Sequence, residues 1–157
     1  MKKLYLCGPI TGLNYDDATY GWRQKFSELA DWKDLGIEVA SPMRGKEQLK
    51  RDYDLSATGY EGTLMSYSKA IITRDRFDVR SSSLMVANLL GSQRISIGSV
   101  AEYAWADAWG VPVITVIEKD GTNPHEHAFI RELTGFRVDN LDDAAFISMT
   151  LLTGGIE

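Results

Sequence analysis

Between Ser96 and Ile117 the chain reads Ser-Ile-Gly-Ser-Val-Ala-Glu-Tyr-Ala-Trp-Ala-Asp-Ala-Trp-Gly and then Val-Pro-Val-Ile-Thr-Val-Ile. This stretch constrains the fold more than any other. A glycine turn opens a short alanine-rich helix, Gly110 stands where a helix C′ glycine belongs, and the apolar run that follows reads as a buried strand. Upstream, Ser83 to Leu90 is a second apolar run, interrupted in its second half by Asn88. Two parallel strands joined by a helix would bring Asn88, Ser96, Gly98, Ser99 and Glu102 to the carboxyl edge of a sheet, where open α/β folds bind ligands.

Glu102 has two readings on this evidence. Ser99-Val-Ala-Glu102 fits a capping box, with a serine N-cap and a glutamate three residues later. A carboxylate in the first turn of a helix also feels the positive end of the helix dipole, which favours its ionised form. In a partly dry crevice such a group is a nucleophile.

The rest of the chain repeats the alternation of strand and helix. Lys3 to Cys7 reads as a first strand, ended by the turn-forming Gly8-Pro-Ile-Thr-Gly12. The spacing there matches neither a Walker A loop nor a Gly-x-Gly-x-x-Gly fingerprint. After Asp16 and Asp17, a helix running to about Trp32 would carry Trp22, Phe26 and Leu29 on one face as core. Gly36 ends it, Ile37 to Ala40 reads as the second strand, and Arg44 and Lys46 follow on a loop that either meets an anionic ligand or is simply solvated. Residues 47–66 are polar with no clean period and read as a long loop or lid over the site. Ser66 to Asp78 reads as a helix carrying Asp75 and Asp78 on one face, with surface ion pairing the preferred role for Asp78. After the Val111 to Ile117 strand come a turn around Gly121, a short helix from His125, an edge strand at Phe136 to Val138, and a final amphipathic helix from Leu141 to Leu152.

Composition narrows the functional classes. The 157 residues, 44% of them hydrophobic, suffice for one core and not two, so residues 1–157 read as a single domain. A formal charge of −5 without a basic stripe argues against binding a nucleic-acid polymer. Cys7 is the single cysteine, so no disulfide framework exists, and with no apolar run long enough for a membrane span the expected location is cytoplasmic. His125 and His127, two apart on a helix, would point to different sides and offer no metal site.

Tyr5-Leu-Cys-Gly-Pro9, Thr73-Arg-Asp75 before a strand ending Val-Ala-Asn88, and Ser96-Ile-Gly98-Ser-Val-Ala-Glu102 followed by Gly110-Val-Pro-Val together resemble the nucleoside 2-deoxyribosyltransferase family. That family also contains 2′-deoxynucleoside 5′-monophosphate N-glycosidases. The resemblance spans nearly the whole chain. It implies an open, doubly wound α/β fold of flavodoxin or Rossmann type, a mostly parallel sheet with helices on both faces. It further implies catalysis without a cofactor or metal, on a small deoxynucleoside or deoxynucleotide and a free nucleobase, in a homo-oligomer.

Residue by residue, the resemblance matches Glu102 to the nucleophile that attacks the anomeric carbon, Tyr5 to the tyrosine that orients it, and Asp75 to the aspartate that holds the base and assists its departure. Gly8, Asn88, Gly98 and Ser99 fall among the substrate-binding positions. Many transferases carry an aspartate six residues before the nucleophile, where this chain has Ser96. A serine hydroxyl donates to a phosphate that a carboxylate would repel. His127 falls where relatives reach into a neighbouring subunit's site near the 5′ group. Ser96 thus tilts toward nucleotides, whereas the first loop and Ser41-Pro-Met-Arg-Gly-Lys46 resemble the bacterial and phage sequences grouped with the transferases. The transferase is therefore the first expectation, the monophosphate hydrolase the second, and a nucleotide-sensing module with Glu102 as a mere cap the third.

Overall fold

The computed structural model describes residues 1–47, 49, 64–65 and 67–154. Five strands form one sheet: β1 (Lys2–Cys7), β2 (Ile37–Ala40), β3 (Leu84–Asn88), β4 (Val113–Val116) and β5 (Phe136–Val138), in the order β2-β1-β3-β4-β5. Every neighbouring pair is parallel, with Tyr5 opposite Met85 and Asn88 opposite Val116. The sheet is thus wholly parallel, a step beyond the mostly parallel sheet expected. Parallel strands covered on both faces read as continuous apolar runs, and every residue of β3 and β4 is buried.

Period-two alternation sends neighbouring residues of each strand into different cores. Leu4, Leu6, Leu84, Val86, Ile114 and Val116 meet Phe26 of α2 (Trp22–Glu28) and Ala144, Ala145 and Leu152 of α6 (Leu141–Thr153). Tyr5, Cys7, Met85 and Ala87 meet Val79 of α3 (Ser68–Arg80), Tyr103 and Ala106 of α4 (Ile97–Ala108) and Ile130 of α5 (Ala128–Glu132). A smaller cluster of Tyr15, Ala18, Met43 and Leu49 packs under the loops that follow β1 and β2.

Two of the expected helices change. The helix expected to follow Asp16 and Asp17 and run to about Trp32 is two helices, α1 (Tyr15–Tyr20), which contains both aspartates, and α2, broken at Gly21. A Cβ at Gly21 would lie 2.5 Å from the Asp17 carbonyl oxygen, so the tight reversal requires glycine. Leu29 consequently falls outside the helix and is exposed, while Trp32 returns to stack on Phe26 with ring centroids 5.1 Å apart. The helix expected from His125 starts at Ala128, with His127 as its N-cap. The lid expected over 47–66 lies mostly outside the described residues. Among the described residues no helix is long and apolar enough to cross a membrane.

Candidate active site

The strand order reverses between β1 and β3, and at their carboxyl ends the chain is pressed close. A Cβ on Gly8 would lie 2.8 Å from the Asn88 carbonyl oxygen and 3.0 Å from the Trp22 ring, so only glycine lets the first loop leave the sheet here. Asn88 is buried, and its side-chain oxygen accepts from the Leu90 amide at 3.2 Å, shaping the second loop. This is the switch point at which doubly wound sheets receive ligands.

Glu102 reaches this point from α4. Its N-terminal serine differs from the one expected: the N-cap is Ser96, whose hydroxyl oxygen accepts from the Ser99 amide at 3.3 Å and from the Ser99 hydroxyl at 3.0 Å. Glu102 therefore stands in the second turn and belongs to no capping box, because capping reaches only the first-turn amides. It is buried, and Tyr5 Oη of β1 donates to its Oε1 at 2.7 Å. The i, i+2 spacing of the strand brings the Cys7 thiol to the same carboxyl.

The electrostatics also differ from expectation. Burial, and then the negative charge of Asp75, push the Glu102 carboxyl up to about 7; hydrogen bonds from Cys7 and Tyr5 and the charge of Arg23 oppose the rise. Desolvation outweighs the dipole here because the side chain lies a full turn past the helix start. Burial and the neighbouring Glu102 push the Tyr5 hydroxyl well above the usual tyrosine range, so it remains a donor.

Asp75 faces the same cluster from α3. Burial raises its pKa, against the charges of Lys46 and Arg74. Arg74 lies 3.1 Å from the Asp75 carboxylate and also donates to the Arg44 carbonyl at 2.9 Å and to the Pro42 carbonyl, fastening the loop after β2 to α3. That loop delivers Lys46, which is buried and whose ammonium is pushed down to about 8 by desolvation, against the attraction of Asp75. Arg44, weighed with Lys46 as an anion contact, is occupied differently: it pairs with Asp78 at 2.6 Å. Asp78 also takes Lys3 at 2.7 Å and is itself fully buried, so its ion pairing is internal and not the surface pairing expected.

Of the remaining expected site residues, Gly98 lies in the first turn of α4 with open space where its Cβ would be, and Ser99 is buried beneath Ser96. His127 is exposed; its Nδ1 accepts from the Phe129 amide at 3.1 Å. The histidine that meets Ser96 is His125, whose Nε2 accepts from the Ser96 amide at 2.8 Å. Sequence reasoning missed it, and it also missed Arg23. The Arg23 guanidinium is buried, donates to the Gly8 carbonyl at 3.0 Å and the Ala18 carbonyl at 2.7 Å, and stacks 4.7 Å from the Trp22 ring. The available signal was a charged residue beside the apolar stripe of Trp22 and Phe26.

The five-stranded parallel sheet in this order, with helices on both faces, defines the flavodoxin-like class of α/β fold. No protein-family model matches the sequence, and no curated protein matches it either. Solved structures share the fold. A conserved protein from Enterococcus faecalis is 21% identical with a TM-score of 0.61, over 93% of this chain and 96% of that one. The 2-desoxiribosyltransferase from Leishmania mexicana is 15% identical with a TM-score of 0.59, over 96% and 97% of the two chains. The CMP N-glycosidase BcmB from Clostridium botulinum is 16% identical with a TM-score of 0.51, over 94% and 97%.

Proposed function

We propose that the chain, acting as one domain, is a nucleoside 2-deoxyribosyltransferase in which Glu102 is the nucleophile. The observation that carries this reading is the 2.7 Å hydrogen bond from Tyr5 to a buried carboxyl at the sheet's switch point. A glutamate with a pKa of about 7 is ionised in a large fraction of molecules near neutral pH, and burial keeps its lone pairs short of water. Its oxygen forms a bond to the anomeric carbon while the N-glycosidic bond breaks and the electron pair leaves with the base. Asp75, which matches the family aspartate that holds the base, assists protonation of the departing nitrogen. A second nucleobase then displaces the glutamate, and two inversions retain the configuration. The fold shared with a 2-desoxiribosyltransferase and with a CMP N-glycosidase supports chemistry at this bond.

A second reading, hydrolysis of a deoxynucleoside 5′-monophosphate, rests on Ser96, a neutral donor where a carboxylate would repel phosphate. Ser96 Oγ accepts two hydrogen bonds from Ser99, so its own proton is free to donate to a 5′ phosphate as well as to a 5′ hydroxyl. Exposed His127 is available to a neighbouring copy's 5′ group in a homo-oligomer. The sensing-module reading loses its footing, since it made Glu102 a cap and the cap is Ser96.

Chromatography separates the two enzymatic readings. Deoxyadenosine formed from deoxyinosine plus adenine is the outcome expected of the transferase. Free base released only from deoxynucleoside monophosphates would replace it with the hydrolase, and no base from any substrate would overturn both.

A further inference from the structure

The loop after β4 is bound to the loop before α4 through a continuous series of polar contacts. Glu118 accepts from the Gly91 amide at 2.6 Å and from Asn123 Nδ2 at 2.7 Å. Asn123 Nδ2 also donates to the Leu89 carbonyl at 2.7 Å, which fixes the amide's orientation and leaves Oδ1 as the acceptor. That oxygen accepts from the His125 amide at 2.9 Å and lies 3.0 Å from His125 Nδ1. At the other side of the ring, Nε2 meets the Ser96 amide at 2.8 Å.

These contacts assign the tautomer. A backbone amide only donates, so Nε2 carries the lone pair; Asn123 Oδ1 only accepts, so Nδ1 carries the proton. The imidazole is neutral and both of its nitrogens are used. Asn123 and His125 are 6% and 2% exposed, so losing one partner strands a buried polar group. The contact falls on the residue that caps the helix carrying Glu102 and whose hydroxyl proton is free.

We infer that His125 is a positioning residue: by holding the Ser96 backbone it aims the Ser96 hydroxyl at the 5′ group of the substrate and so sets recognition of that end of the sugar. The inference rests on the proposed reading of the site as one for deoxynucleosides or their monophosphates. It gives the Asn123-Pro-His125 turn a task in recognition that is separate from bond cleavage.

The test compares two substrates, deoxyinosine and its analogue lacking the 5′ hydroxyl, with adenine as acceptor, or the monophosphate against the nucleoside if the hydrolase reading holds. His125→Phe removes the acceptor for the Ser96 amide, while His125→Gln restores an oxygen at a similar reach. The Phe variant is expected to lose about tenfold in kcat/KM on the substrate bearing the 5′ group, mostly through KM, as for one mispositioned hydrogen bond. It should change little on the substrate lacking that group, the Gln variant should recover most of the loss, and Ser96→Ala should add little to His125→Phe. Equal losses on both substrates, or full additivity with Ser96→Ala, would overturn the inference in favour of a purely structural role. If the wild-type protein releases no base, the reading of the site fails by itself. Equilibrium binding of deoxyribose 5-phosphate to wild type, His125→Phe and His125→Gln then decides the inference: a weakening in the Phe variant that the Gln variant recovers supports it, and no weakening, or a weakening without recovery in Gln, overturns it.

Discussion

The two faces of the sheet are fed by the same strands and are built on different principles. On the face covered by α2 and α6, Leu4, Leu6, Leu84, Val86, Ile114 and Val116 form an apolar core, and the buried Ser148 hydroxyl bonds back to the Ala144 carbonyl of its own helix at 2.7 Å. On the face covered by α3, α4 and α5, the same strands present Tyr5 and Cys7 to Glu102, and Thr115 to the Tyr103 hydroxyl at 2.6 Å. One residue of strand separates a stabilising position from a chemical one. Burying a carboxyl with only two hydrogen-bonding neighbours costs stability, and the apolar face offsets that cost.

Glu102→Gln should break this comparison most sharply. Activity should fall by roughly 10⁴-fold or more, as for removal of a covalent nucleophile, measured by base release at saturating substrate. Stability should move the other way. The folded-state pKa of about 7 lies above the unfolded value of 4.5, so the contribution of Glu102 is fully present below about pH 4.5 and is lost as pH rises through 7. The Gln variant should therefore gain about 3 kcal/mol over wild type at pH 8 and little at pH 4, by denaturant titration.

Leu6→Ala, on the opposite face of the same strand, is expected to do the reverse. A fully buried leucine truncated in a close-packed core costs about 2–5 kcal/mol, with the folded protein still active. A selective loss of turnover at unchanged stability would show that the two faces are not separable.

Tyr5→Phe removes a hydrogen bond to a charged group, about 1.5–3 kcal/mol, and should lower kcat/KM by roughly tenfold to a hundredfold. Since that bond favours the ionised carboxylate, the acid limb of the pH profile should move above 7. The smallest change is expected from Arg23→Met, which removes a positive charge acting at longer range. It should move the same limb in the same direction by less than Tyr5→Phe does, read from kcat/KM against pH.

Asp75 and Asp78 show why part of the site was illegible in the sequence. They share α3 and an acidic and basic neighbourhood, yet burial raises Asp75. Burial works on Asp78 as well, but hydrogen bonds from Arg44 and Lys3 outweigh it and hold that carboxylate low. The Asp78 partners come from 34 and 75 positions away, a separation no local pattern reports. His125 and Arg23 were overlooked for a related reason: their partners are backbone groups of other loops, Ser96 for one and Gly8 and Ala18 for the other.

The alternation of strands with helices and the glycine at the end of α4 follow from sequence alone, because they depend on local periodicity and on the geometry of a parallel crossover. Tertiary structure decided which serine caps α4, the protonation preference of Glu102 and which histidine holds Ser96. Those properties depend on desolvation and on groups distant in the chain, and both exist only once the two faces of the sheet have closed.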